Sequence, residues 1–228
     1  MGGTALHKLF FNSAGRFSED LDFVQRDNGP IGELVDAIRG CLDYWLGEPR
    51  TKRNHGRFTL FYQFETEIEP IVTRKIKIEI NTREHFNVDP YNYEIYSVEN
   101  NWFSGECRVL TYSLAELLAT KLRALYQRKK GRDLYDFWFV SDENIDVNIK
   151  SIIEIFKQYM KLGGEAVSRA EFEMNLYRKK NDKVFNSDIS ELLSADQDER
   201  YQPEEAYHIL FNQFLNKLPG GGWKGLLA

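Results

Sequence analysis

Asp20 and Asp22, one residue apart in "RFSEDLDFV", are the first residues with an evident chemical use. On a β-strand, residues i and i+2 project from the same face. Two carboxylates held that close repel each other, so they stay ionised only beside a cation, or one takes up a proton. Mg²⁺ is the natural cation, a hard ion bound through one or two carboxylates plus substrate phosphates. Leu21 and Phe23 then point the other way, into a core. The plainer alternative has both acids facing water, or one of them capping a turn. A third acid stands in "RKIKIEIN", where Ile76, Ile78 and Ile80 take one strand face and Lys77 and Glu79 the other. If this strand lies beside the Asp20 strand, Glu79 completes a three-carboxylate cluster suited to in-line displacement at phosphorus with divalent ions. Alone, it is a surface strand with a plain Lys/Glu face.

Lys121 interrupts an apolar stripe. Leu114, Leu117, Leu118, Leu122 and Leu125 fall at i, i+3, i+4, i+8 and i+11 of a helix, and Lys121 falls at i+7, inside the stripe. Such a lysine either snorkels out along its own methylenes or reaches a fixed anion such as a substrate phosphate. Asp133 and Asp136 in "GRDLYDFWFV" share one side of a following helix, with Leu134, Phe137 and Trp138 on its apolar face. Asp133 could hold Lys121 or Arg132, contact a nucleotide, or simply stabilise a helix N-terminus.

The elements that must position these groups divide the chain into halves. Up to about Val109 the pattern is mostly strand: "RFTLFYQFETEI", "RKIKIEINTRE", "NYEIYSVEN" and "ECRVLTY" are rich in β-branched and aromatic residues. One helix starts near Gly3, and another covers "IGELVDAIRGCLDYWL". From Ser113 the pattern is helical, with capping boxes at Ser113/Glu116 and Ser168/Glu171, a stop at Gly163-Gly164, and Pro203 opening a first turn. The expected division is residues 1–110, 111–218 and a loose tail 219–228, giving an α+β chain whose small mixed sheet is followed by a helical half.

With 228 residues, 42% of them hydrophobic, the chain can fill a sizeable interior. No run is long and apolar enough to span a bilayer, and the N-terminus has no signal-peptide layout. Two cysteines, Cys41 and Cys107, make neither a disulfide framework nor a zinc site; both read as small buried hydrophobes, and a reducing cytoplasm is the default compartment. His7, His55, His85 and His208 lack metal-ligand spacing and read as structural or surface residues. At a formal net charge of −5, nucleic acid could be handled only through a local patch. Arg123, Arg128, Lys129, Lys130 and Arg132 form one such stretch; from charge alone it reads as a solvated helix end.

The order of these signals is more specific than any one of them. Gly2-Gly3-Thr4-Ala5-Leu6, then Arg16-x-Ser18-x-Asp20-Leu21-Asp22, Lys77-Ile78-Glu79, Lys121 in "ATKLRAL", and Arg132-Asp133-Leu134-Tyr135-Asp136 together resemble the AbiEii/AbiGii toxin family of the DNA polymerase β-like nucleotidyltransferase superfamily. The resemblance covers roughly Gly2 to Phe139 and implies a polymerase-β-type nucleotidyltransferase core. It implies that Asp20, Asp22 and Glu79 hold Mg²⁺ or Mn²⁺, and that Lys121 contacts the triphosphate. It implies that Asp133 is the family's late acidic position and that the Gly2-Gly3-Thr4 turn cradles nucleotide phosphates, with Arg16, Ser18 and Lys77 assisting. It further implies NTP as substrate, a tRNA 3′ end or other RNA as acceptor, an AbiEi-type antitoxin, and a place in phage defence. The superfamily's strand leading into the glycine turn is expected upstream of Gly2, and the sixteen residues between Gly3 and Asp20 exceed the superfamily's usual spacing.

Two rivals differ in chemistry. An antibiotic-type enzyme would transfer to a small molecule; an RNA acceptor, which would give the Arg123–Arg132 cations a use, predicts steep loss of activity with salt. A non-catalytic interaction protein would transfer nothing. A restriction-type nuclease fits less well, because Lys77-x-Glu79 reverses that core's Glu-x-Lys order.

Overall fold

The structure is a computed structural model, and it describes residues 2–11, 15–18 and 20–227, without the side chains of Leu226 and Leu227. It is mixed α/β with small sheets, in the class the sequence implies. The elements run α1 Gly3–Leu9, β1 Asp20–Val24, α2 Gly32–Leu46, β2 Arg50–Asn54, β3 Arg57–Glu65, β4 Thr73–Asn81, β5 Asn92–Glu99, β6 Ser104–Thr111, α3 Leu114–Gln127, α4 Gly131–Asp142, α5 Ile149–Leu162, α6 Arg169–Lys180, α7 Lys183–Ser187, α8 Ala195–Arg200 and α9 Pro203–Ile209. Contacts group them into two compact units: Ser18–Phe86 with the residues up to Ala5, and Leu6–Phe17 with Asn87–Ala228. The β5–β6 hairpin therefore groups with the helices, where the sequence pattern alone places it with the other strands.

The first unit is a four-stranded sheet in the order β1-β4-β3-β2, with β1 parallel to β4 and the other neighbours antiparallel. Strand alternation splits its faces. Leu60, Tyr62, Ile78 and Ile80 form the apolar face, which α2 covers with Val35 and Leu46. Tyr62 carries its hydroxyl to the rim, donating to Asp43 Oδ1 at 2.8 Å; burial, reinforced by that carboxylate, pushes the phenol up to about 12. Leu21 and Phe23 share this apolar face in register with Ile78 and Ile80, yet they are 37% and 47% exposed. The expectation that they enter a core is corrected: β1 is an edge strand, and α2 packs over β3 and β4.

The second unit is helical apart from the hairpin. Its buried residues include Leu118, Leu122 and Leu125 of α3, Leu134, Phe137 and Trp138 of α4, and Ile152 and Phe156 of α5. Ser168 and Glu171 form a complete reciprocal cap on α6. Ser113 caps only one way, accepting from Glu116 N at 3.1 Å, because the Glu116 carboxylate is buried and accepts from Val88 N, Asp89 N and Tyr159 Oη instead. Gly131 opens α4 with its Cα against α7, where an added Cβ would lie 2.2 Å from the Phe185 carbonyl oxygen. The segment after Leu218, expected to be loose, is anchored: Trp223 N donates to Glu173 Oε2 at 2.6 Å and its ring lies 5.1 Å from Tyr177. Both cysteines are exposed, which corrects the buried reading; Cys41 lies on the side of α2 away from Val35 and Leu46.

Candidate active site

The polar face of the first unit's sheet carries the predicted acids. Register pairs Asp20 with Lys77 and Asp22 with Glu79, so strand alternation alone sets all four side chains on the face opposite α2. The Lys77 ammonium lies 2.6 Å from Asp20 Oδ2 and 3.5 Å from Glu79 Oε2, and Arg57 Nε lies 3.1 Å from the other Glu79 oxygen. Partial burial alone would lower the Lys77 pKa, but the bond to Asp20 and the charges of both acids raise it. The glycine turn belongs to the same unit. A Cβ on Gly2 would fall 2.0 Å from Asp22 Oδ2, so only glycine lets the backbone approach that carboxylate so closely. Thr4 bonds to the Ser18 hydroxyl and donates to the Asp20 carbonyl at 2.6 Å, tying the turn to the start of β1.

Among the described residues no group of three His, Cys, Asp or Glu forms a ready metal cluster. The donor chemistry nevertheless fits a hard divalent ion: three carboxylates share one face, where Lys77 pairs with Asp20 and Glu79 and Arg57 pairs with Glu79.

Lys121, Asp133 and Arg16 are gathered in the second unit. The Lys121 side chain is 7% exposed, and its ammonium reaches Asp133 Oδ1 at 3.1 Å and Asp136 Oδ2 at 2.9 Å. Arg128 adds a fork on Asp133 at 2.7 and 2.8 Å. Arg16 adds another on Asp136 at 2.8 and 3.0 Å, and His7 Nε2 completes the set at 2.9 Å from Asp136 Oδ1. Burial would raise the Asp136 carboxyl, but Lys121 and Arg16 overcome it and hold the group well below the usual carboxylate range. Asp133 is lowered against the same burial cost by Lys121 and Arg128. Burial lowers the His7 pKa, with Asp136 opposing. His7 Nδ1 has no hydrogen-bond partner, which assigns the neutral tautomer donating from Nε2. Lys179, pushed down to about 8 by burial, donates to the Leu125 and Tyr126 carbonyls at the end of α3.

Asp136, the most heavily partnered of these acids, was left without a role by sequence reasoning; its signal was the same i, i+3 spacing that picked out Asp133. The basic stretch is also altered by its partners. Lys129 pairs with Asp182 and Lys130 with Asp188, both at 2.7 Å, and Arg132 lies 3.6 Å from Asp188.

The model of the nucleotidyl transferase AbiEii toxin family, type IV toxin–antitoxin system, matches residues 1–215. The chain belongs to that family. It is accordingly a nucleotidyltransferase toxin of the type IV toxin–antitoxin class. Among solved structures, the MenT4 nucleotidyltransferase toxin of Mycobacterium tuberculosis H37Rv is similar at 18% identity and a TM-score of 0.49, over 93% of this chain and 83% of that one. Among curated proteins none matches. No helix of the described residues is long and apolar enough to cross a membrane.

Proposed function

We propose that this AbiEii-family chain transfers a nucleoside monophosphate from an NTP to the 3′-terminal hydroxyl of tRNA in a divalent-metal-dependent reaction in the cytoplasm, as a toxin countered by an AbiEi-type antitoxin and used in phage defence. The observation that carries the reading is the convergence of Asp20, Asp22 and Glu79 on one sheet face beside the Gly2 turn. The acceptor oxygen attacks the α-phosphorus, the bond to the bridging oxygen breaks, and pyrophosphate leaves. Asp20, Asp22 and Glu79 would hold Mg²⁺ or Mn²⁺, which supplies charge compensation at the phosphoryl group and lowers the acceptor hydroxyl's pKa. Lys77, freed from Asp20 and Glu79, neutralises nucleotide phosphates. Gly2, Gly3 and Thr4 offer backbone N–H groups to the same phosphates, and Ser18 fixes the turn through Thr4. The protein's contribution is position and fixed charge rather than covalent chemistry.

Lys121 and Asp133 carry two separable roles in this proposal. Holding α3 against α4 follows from their buried ion pairs. Contact with the triphosphate comes from the family resemblance, with Arg16 as a further nucleotide-side cation. Lys121→Ala should weaken NTP binding, measured by equilibrium titration; unchanged NTP affinity leaves Lys121 only its structural role.

The test of the whole reading is incubation with labelled NTPs, Mg²⁺ and total tRNA, with chelator and increasing salt as controls. The expected result is label at the RNA 3′ end, lost on chelation and falling steeply with salt. Label found only on small molecules, or on nothing, overturns it.

A further inference from the structure

The two basic clusters of this chain differ in how their charge is engaged. The Arg128–Arg132 stretch spends its cations on Asp133, Asp182 and Asp188 within its own unit. The other cluster was not visible as a site: between Glu48 and Glu65 the chain contains Arg50, Lys52, Arg53 and Arg57 and no acid. Its first three cations lie on β2, every residue of which is exposed.

Register decides where those cations point. Arg50 pairs with Phe61, Phe61 with Lys77 and Lys77 with Asp20; Lys52 pairs with Thr59, Thr59 with Glu79 and Glu79 with Asp22. Cross-strand partners share a face. Arg50, Lys52 and Phe61 therefore stand on the same polar face as the three acids, the two β2 cations about 14 Å and Phe61 about 10 Å from β1 by strand spacing. The Arg50 guanidinium lies 5.5 Å from the centroid of the half-buried Phe61 ring, which sets an aromatic ring beside the cations. Arg57, already on Glu79, continues the strip toward the acids.

We propose that this strip, Arg50, Lys52 and Phe61, is the docking track for the single-stranded end of a nucleic acid acceptor, delivering its 3′ hydroxyl to Asp20, Asp22 and Glu79. The inference rests on the transferase reading above and names where its acceptor binds. Cations that track phosphates, combined with an aromatic face on which a base stacks, are how single strands are held without sequence preference. An NTP needs far less surface.

The test measures binding of fluorescently labelled total tRNA by anisotropy at several salt concentrations, without NTP, for the parent chain, Arg50→Ala/Lys52→Ala, Phe61→Ala and, as a control, Lys129→Ala/Lys130→Ala. The Arg50/Lys52 pair should weaken tRNA binding at least about tenfold and flatten the log–log salt slope by about 1.5. Phe61→Ala should weaken binding ~tenfold with the salt slope unchanged. The control pair should match the parent, and all variants should bind NTP as the parent does. Parent-like tRNA binding by Arg50→Ala/Lys52→Ala overturns the track, as does a parent that binds no tRNA, or a loss confined to NTP affinity. If tRNA binds through these residues but no nucleotide is transferred, the transferase reading fails and the track stands. If the parent labels tRNA and the double variant binds it equally, the reverse holds.

Discussion

Two sets of carboxylates in this chain are each matched to cations, and they are built for opposite ends. Asp20 and Glu79 face a partly exposed ammonium on an open sheet surface. Asp133 and Asp136 are fully buried, between Lys121, Arg128, Arg16 and His7. A pair that keeps partial contact with water is more open to screening by salt and to exchange of one cation for another than a fully buried one. A buried set has given up its hydration and depends on every partner, so removing one leaves an uncompensated charge. In the proposed transferase reading, binding and release of metal falls to the first arrangement, and holding the packed helices falls to the second.

The sharpest break of this contrast is Asp136→Ala. It strands Arg16 in a dry environment, takes one of two acids from Lys121, and should cost about 3–5 kcal/mol, lowering the melting temperature by on the order of 10 °C. A melting temperature within about 2 °C of the parent would contradict the structural role. Gly2→Ala is the counterpart on the open side. Its new methyl would displace the Asp22 carboxylate, so transfer should fall about tenfold, equivalent to ~1.4 kcal/mol of barrier, while melting stays within about 2 °C of the parent. Parent-like kcat would show that Asp22 can move without consequence.

The smallest effect is in pH. The folded-state pKa of His7 is depressed, so the unfolded chain binds its proton first, and stability should decline as pH falls below about 6.5. The slope from this group is at most ~1.4 kcal/mol per pH unit. Asp136, Arg16 and Lys121 are the charged groups acting on it. Asp136 and Asp133, also depressed, contribute stability above the ordinary carboxylate range that is lost only at lower pH, as each falls through its folded value. His7→Gln keeps an N–H for Asp136 and should flatten melting temperature between pH 7 and 5; an unchanged profile would remove His7 from the account.

What the sequence made legible follows from where each signal is local. Alternation in "RKIKIEIN" and "RFTLFYQFE" is a property of single strands, and β4 and β3 lie there with the apolar face under α2. The stripe around Lys121 marks an amine that either snorkels to water or reaches an anion, and Asp133 is among the candidates. β2 escapes a sequence reading because "RTKRN" has no apolar face; backbone pairing places it beside β3. The outward placement of Leu21 and Phe23 depends on strand order, which no local pattern encodes. The partners of the basic stretch, Asp182 and Asp188, and the Arg16 fork on Asp136 join residues far apart in the chain, so the exposed cations at Arg50 and Lys52 and the acid-paired ones at Lys129 and Lys130 look alike in one dimension.

The most direct measurement pairs Asp20→Ala with the parent in the labelled-NTP, Mg²⁺ and tRNA assay, alongside thermal melting of both. The account predicts a drop in transfer on the order of a thousandfold, from loss of several kcal/mol of charge stabilisation, with the two melting curves superimposed. Parent-level RNA labelling by Asp20→Ala would contradict it.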